Sequence, residues 1–297
     1  MNLGTRSALL HRWRSDCLTL VLVFLIISSM VTSRKLTPEE NDELKHQCGQ
    51  RSLPEAPRPR LFSVGGWRAK NLEFPYIVGF TSTSDFCTGV QISKRHILTA
   101  AHCVMNLNGG GKWTIKPANE FTVYVGNKCG HPLLCSEEQS TYKALGNPVP
   151  YKGFNGFHGD IAVIELDRDI AKSQGLPVCM PERNESLGTH LTAVGYGWNP
   201  YEDNPIDDKP FYRLRAVELK LSHIVVNESE IVTLNRDQSI CTGDSGGPLI
   251  QINKELKDVV VGISSKSYGC KDRYRELPSV FTDVRKKLDW ICDRTGE

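Results

Sequence analysis

The sequence predicts an all-β protein of two β-rich modules closed by a C-terminal helix. Short apolar runs are separated by Gly, Asn and Pro clusters, where a helical protein would show long 3.6-residue periods. Val, Ile and Gly are abundant, and 297 residues suffice to bury a core in each of two modules. No internal repeat or low-complexity tract interrupts the pattern.

Arg6, Arg12 and Arg14 precede an apolar run from Leu18 to Ile27, which continues weakly to Val31 and ends at the polar Thr32-Ser33-Arg34-Lys35. A membrane-spanning helix needs about 20 apolar residues. Residues 1–33 therefore read as a secretory signal peptide, with a retained type II membrane anchor as the alternative. Residues 34–62 read as an exposed propeptide linker, polar at Thr37-Pro38-Glu39-Glu40 and proline-rich through Pro54, Pro57 and Pro59. The first module, about 63–176, has candidate strands at Tyr76–Thr81, Gly89–Ile92, His96–Thr99, Phe121–Val125 and Ile161–Leu166. The second, about 177–284, has them at Thr189–Tyr196, Tyr212–Leu221, Pro248–Gln251, Val259–Ile263 and Ser279–Asp283. Val284–Asp293 looks helical, with Leu288 and Ile291 on one face.

With 36 basic and 34 acidic residues the net charge is only +2, which argues against nucleic acid or a polybasic membrane patch as partner and leaves a polypeptide. Ten cysteines fit an oxidising compartment. They are scattered without Cys-x-x-Cys units or clustered histidines, so the sequence implies neither a metal centre nor a cofactor. Cys129 and Cys135, six apart around Gly130 and Pro132, suit closure of a local loop. Cys17 lies in the signal segment and Cys292 is left over, free or bridged to another chain. Asn184-Glu185-Ser186 and Asn227-Glu228-Ser229 fit the glycosylation sequon of an exported protein.

Three segments carry chemistry. Gly243-Asp244-Ser245-Gly246-Gly247-Pro248, behind Cys241, crowds one serine with glycines. Leu98-Thr99-Ala100-Ala101-His102-Cys103 places a histidine beside a cysteine. Gly159-Asp160-Ile161-Ala162-Val163-Ile164-Glu165-Leu166 places an aspartate at the mouth of an apolar strand. A serine hydroxyl is a poor nucleophile at neutral pH and needs a base as it attacks. An imidazole can accept that proton and return it to the leaving group, and a carboxylate can fix its tautomer.

In this order, His then Asp then Ser, the motifs resemble the trypsin and chymotrypsin family of serine proteases from about Ser63 to the C-terminus. The resemblance implies two six-stranded antiparallel β-barrels, chymotrypsin-like, with the site between them and a C-terminal helix at about 285–294. It implies Ser245 as nucleophile, His102 as acid and base, Asp160 as orienting carboxylate, and the N–H groups of Gly243 and Ser245 as oxyanion donors. It further implies disulfides Cys87–Cys103, Cys241–Cys270 and Cys48–Cys179, polypeptide substrates, protein inhibitors and a monomeric, secreted enzyme made as a zymogen.

The chain also departs from that family. Its members are cut to release an apolar N-terminus whose amine pairs with the aspartate before the serine, here Asp244. The matching segment is Ser63-Val64-Gly65-Gly66, with serine at the new terminus, and a cut after the nearest basic residue, Arg60, leaves Leu61 and Phe62 as extra residues. Ser239 stands where trypsin has a pocket aspartate, which argues against cleavage after Lys or Arg, with Asp237 two positions away as the rival. Thr242 and Ser265 also line the substrate site. Wall positions Ser267 and Ser279 replace glycines and predict a narrower, more polar pocket for small or medium apolar P1 residues. Lys266 replaces a usual tryptophan, so the neighbouring subsite is expected either to favour acidic groups or to leave the lysine solvated. A usual cysteine pair is missing, which predicts a looser Ser222–Gln238.

Overall fold

The computed structural model describes residues 34–51, 66–83, 85–126, 140–199, 213–268 and 276–297. The expected signal segment, Arg60, Ser63, Cys129, Cys135, Cys270 and the start of the strand expected from Tyr212 lie outside the described residues. Lys35–Glu297 forms one compact unit. Among the described residues no helix is long and apolar enough to cross a membrane.

In chain order the strands are β1 (Trp67–Arg68), β2 (Ile77–Ser82), β3 (Asp85–Gln91), β4 (His96–Thr99), β5 (Met105–Leu107), β6 (Trp113–Ile115), β7 (Phe121–Val125) and β8 (Ser140–Lys143). They continue as β9 (Val149–Pro150), β10 (Ala162–Glu165), β11 (His190–Gly195), β12 (Arg215–Val225), β13 (Glu230–Arg236), β14 (Pro248–Ile252), β15 (Asp258–Ser267) and β16 (Glu276–Asp283). The helices are α1 (Pro38–Gln47), α2 (Ala101–Val104) and α3 (Leu288–Thr295).

Two antiparallel sheets carry the molecule, as the sequence predicts. In the first, strand order β8-β7-β2-β3-β4-β10-β9 brings β8 round towards β10. The seam closes through a single bridge, Ala144 to Leu166, flanked by Leu145 N–H to Glu165 O at 2.8 Å and Asp167 N–H to Lys143 O at 2.9 Å. In the second, β12-β11-β14-β15-β16-β13 forms a ring closed by β12 pairing with β13, and β1 adds to the outside of β12. The alternation that builds such walls is plain in β7, where Phe121, Val123 and Val125 are buried and Thr122 and Tyr124 lie half-buried.

The expected linker is structured at its start. Thr37 caps α1: its hydroxyl accepts from Glu40 N–H while the Glu40 carboxylate accepts from Thr37 N–H, and Pro38 occupies the first turn. Cys48 is bonded to Cys179, and Leu36 N–H donates to Thr295 O at 2.7 Å. Arg51 forks onto Asp258, Nε to Oδ2 at 2.6 Å and Nη2 to Oδ1 at 2.7 Å, while Tyr76 OH donates to Asp258 Oδ2 at 2.7 Å. The described part of the segment is thus tied to the domain through Leu36, Cys48 and Arg51, while the helix between them stays largely exposed.

The β5–β6 hairpin, β8, β9 and β13 escape the sequence reading, and the C-terminal helix begins at Leu288 behind a short 3-10 turn at Val284–Lys286. Ser222–Gln238 is a correction too. It is mostly the β12–β13 hairpin, and all seven residues of β13 pair with β16, so strand hydrogen bonds take over the work of the missing cysteine pair.

Asp258 is 1 % exposed, so removing its partner strands a buried charge. Arg51→Met should lower stability by roughly 3–5 kcal/mol, read as a shift in the urea midpoint with disulfides intact. A shift below about 1 kcal/mol would mean that Tyr76 and backbone donors alone satisfy the carboxylate.

Candidate active site

The register of β4 and β10 brings the first two residues together. Ala162 pairs with Thr99, so the chain just before β10 and the chain just after β4 emerge side by side. Gly159 takes φ +67°, a turn a β-carbon would strain, and delivers Asp160. The turn α2 delivers His102, tied to β3 by the Cys87–Cys103 bond.

Asp160 Oδ1 accepts from His102 N–H at 2.9 Å, and Oδ2 lies 2.7 Å from His102 Nδ1. Ser265 Oγ donates to Oδ2 at 2.6 Å, and Thr282 Oγ1 donates to the Asp160 carbonyl at 2.9 Å. Burial opposes the carboxylate's charge, yet the hydrogen bonds from His102 and Ser265 outweigh it and hold Asp160 below the usual carboxylate range. An ionised Asp160 only accepts, so Nδ1 carries the ring proton and Nε2 keeps a lone pair.

The Ser245 loop reaches this pair because residue 246 is glycine. A β-carbon there would meet Thr99 Oγ1 at 2.0 Å and Ala100 N at 2.9 Å, and its φ is +80°. Thr88 holds the loop from the first barrel: its N–H donates to Ser245 O at 2.9 Å and its hydroxyl to Gly243 O at 2.7 Å. Gly243 takes φ +99°. Among the described residues, no acceptor takes the N–H of Gly243 or of Ser245, and Ser245 Oγ makes no hydrogen bond to His102.

Asp244 turns its carboxylate inward. Oδ1 accepts from Gly197 N–H at 2.7 Å and Oδ2 from Cys241 N–H at 2.9 Å, and β-carbons on Gly195 or Gly197 would lie 2.3 Å or 2.1 Å from its oxygens. Among the described residues no cation lies within ion-pair distance of it. Burial pushes Asp244 up to about 6, against those two backbone donors and the more distant positive charge of Arg215. Cys241 is disulfide-bonded; Cys270, its expected partner, is outside the described residues.

On the substrate side, Ser239 Oγ lies 3.3 Å from Ser279 Oγ, and Ile240 N–H donates to that same Ser279 oxygen at 3.3 Å. Ser279 is fully buried and pairs across the sheet with Ser267. Asp237 takes a left-handed turn at φ 62°, while Thr242 is exposed. Lys266 is not merely solvated: its Nζ is 3.2 Å from Glu230 Oε1, which also lies 3.0 Å from His158 Nδ1. His158, Glu228 and Glu230 bring three ligand atoms within 4.8 Å of one another, a spacing a cation could use, although Lys266 already offsets charge there. Asn184 and Asn227 sit exposed in turns. Thr88, His158, Glu228, Glu230 and Thr282 were not singled out from sequence, since single polar residues in strands and turns carry no spacing signal.

A two-barrel fold with a His–Asp pair at the seam and a glycine-flanked serine beside it defines the class of serine proteases. The trypsin family model matches residues 63–291. The chain is similar to Chymotrypsin-2 of Vespa crabro, 31% identical over 241 residues covering 77% of this chain and 97% of that protein. It is similar to CLIP domain-containing serine protease B10 of Anopheles gambiae, 30% identical over 69% of this chain and 60% of that one. Transmembrane protease serine 11B of Homo sapiens is 27% identical over 71% of this chain and 50% of its own length. The chain belongs to the trypsin family of serine proteases.

Asp244 also makes a pH prediction for the uncut chain. Its folded value, about 6, lies above its ordinary 3.8. Its contribution to stability is complete below pH 3.8 and is lost as pH rises through about 6, on the order of 3 kcal/mol. Buried His96, lowered to about 4, acts oppositely as pH falls. The difference between wild type and Asp244→Asn isolates the aspartate: denaturation midpoints should converge at pH 4 and favour the variant at pH 7.5. A pH-independent difference would locate the effect elsewhere.

Proposed function

We propose that the chain is a secreted serine endopeptidase that hydrolyses peptide bonds through an acyl-enzyme on Ser245. His102 Nε2 takes the hydroxyl proton as Ser245 attacks the carbonyl and returns it to the leaving amine. Asp160 orients the ring and stabilises the imidazolium. The free N–H groups of Gly243 and Ser245 receive the oxyanion. The observation that carries this reading is the juxtaposition at Gly246, which packs the Ser245 loop against Thr99–Ala100 beside a histidine already tied to a buried aspartate.

The substrate is a polypeptide laid along β15. Pairing with β14 ends at Ile263, and β16 takes only the other side of Ser264–Ser267. Among the described residues nothing pairs with the outer edge at Ser265–Ser267, which suits an extended chain there. The pocket lacks a carboxylate at Ser239, and its serine hydroxyls satisfy one another, which favours small or medium apolar P1 residues over Lys or Arg. No cofactor enters the scheme. Export fits the disulfides and exposed sequons, and protein inhibitors of such enzymes fit the same cleft.

A second reading, a secreted binding or regulatory protein that keeps the triad without completing the oxyanion site, is favoured by one observation: Asp244 is half-buried, its carboxylate enclosed by Gly195 and Gly197, without an ion pair among the described residues. Fluorophosphonate labelling of folded, processed protein separates the two. Wild type should label and Ser245→Ala should not; Asp160→Asn should lower kcat by about 10⁴. Folded, cut wild type that fails to label would establish the second reading. Ser239→Asp should raise the ratio of cleavage after Arg to cleavage after Leu by about tenfold, the worth of about 1.4 kcal/mol, in assays with matched peptides. An unchanged ratio would mean that Ser239 does not face P1.

A further inference from the structure

We propose that Glu228 and Glu230 make the substrate groove at Lys266 selective for a basic side chain on the N-terminal side of P1; this rests on the reading of the open β15 edge as the substrate's docking strand. Lys266 alone would favour an acidic side chain, as the sequence suggests. Its ammonium, however, is engaged by Glu230, whose side chain is 8 % exposed and cannot turn to water for solvation. His158, from the loop that delivers Asp160, closes the chain of contacts: its Nδ1 is 3.0 Å from Glu230 Oε1 and 3.5 Å from Glu228 Oε2.

Two carboxylates face one ammonium and one imidazole, so with a neutral imidazole the group carries a net charge of −1. The excess lies on Glu228, the more open carboxylate at 42 % side-chain exposure. Phe157, next to His158 and 69 % exposed, adds an aromatic surface that suits the stem or the charge of Lys or Arg. A substrate carboxylate would meet this net negative group, and to draw Lys266 away it would have to leave the buried Glu230 with the His158 imidazole as its one remaining partner among these four residues. The cluster also joins the barrels, His158 from the first and the other three from the second, so its occupant bears on the same loop as Asp160.

The test uses processed full-length protein and peptides with one optimal P1 residue and Lys, Gln or Glu at P2, P3 or P4 in turn. At one of these positions kcat/KM should be about fivefold higher for Lys than for Gln, with Glu lowest, the size expected of one partly exposed ion pair. Raising NaCl from about 50 mM to about 500 mM should shrink the ratio. Glu228→Gln should bring Lys and Gln to parity mainly through KM, while the rate of phosphonate labelling stays as in wild type. A preference for Glu, or a Lys preference unmoved by Glu228→Gln, overturns the proposal. Absence of phosphonate labelling overturns the protease reading instead. In that event direct binding of the same peptides to Ser245→Ala protein decides the groove: tighter binding of the Lys peptide, lost in the Glu228→Gln, Ser245→Ala double variant, supports it, and equal or tighter binding of the Glu peptide refutes it.

Discussion

One buried carboxylate is where the two barrels become a single site. Asp160 receives the backbone N–H and ring nitrogen of His102 from the first barrel, and the hydroxyls of Ser265 and Thr282 from the second, the last on its carbonyl. A carboxylate in such a place is tolerable only with this many donors, because desolvation works against its charge. The donors therefore fix more than a side chain. They fix the register of one barrel against the other, and with it the tautomer of the ring that must face Ser245. Thr88 and Gly246 complete the seam from the opposite direction, the first by bonding both carbonyls that flank Asp244 and the second by having no side chain to hold the loops apart.

The second buried carboxylate, Asp244, has the opposite balance. Two backbone donors satisfy its oxygens, but no ion pair among the described residues neutralises it, so burial dominates and its acidity falls. The residues on either side of it, Gly243 and Ser245, carry the two N–H groups proposed as oxyanion donors, and the carboxylate's bond to Cys241 N–H braces the turn they form. The same fold thus holds one aspartate ionised by design of its contacts and leaves the other sensitive to what approaches it. That contrast in environment fits the two different roles proposed for Asp160 and Asp244.

Much of this was legible in the residues. His96–Thr99, buried throughout, and Phe121–Val125, buried at alternate residues, match the expected bounds, since each carries branched or aromatic residues between clear turn signals. β13 was missed because Glu230, Thr233 and Asn235 break its apolar pattern, and its stability comes from pairing with β12 and β16 instead. α1 escapes the sequence reading for a different reason: Thr37 and Glu40 spell out a capping box, but the composition around them is that of a linker, and the contacts that tie it down come from residues far away in the chain. The environment of Lys266 was invisible for the same reason, as Glu230 and His158 approach it only through the fold.

The position of Gly66 bears on how Asp244 acquires a partner. Gly66 packs so closely on β12 that a β-carbon there would lie 1.9 Å from Ala216 O, and Trp67 and Arg68 pair with Ala216 and Arg215. The chain is anchored from Gly66 onward, whatever precedes it. A new amine at Ser63 would hang on a tether of three residues, about 10 Å at full extension, and one at Leu61 on five, about 17 Å. Arg215, opposite Gly195 on the face where the Asp244 carboxylate rests, already contributes positive potential to that region. That potential opposes the approach of an ammonium, so the attraction of Asp244 has to outweigh it. On the proposed zymogen reading, the short tether from Gly66 and the positive potential of Arg215 together limit which new terminus could reach Asp244.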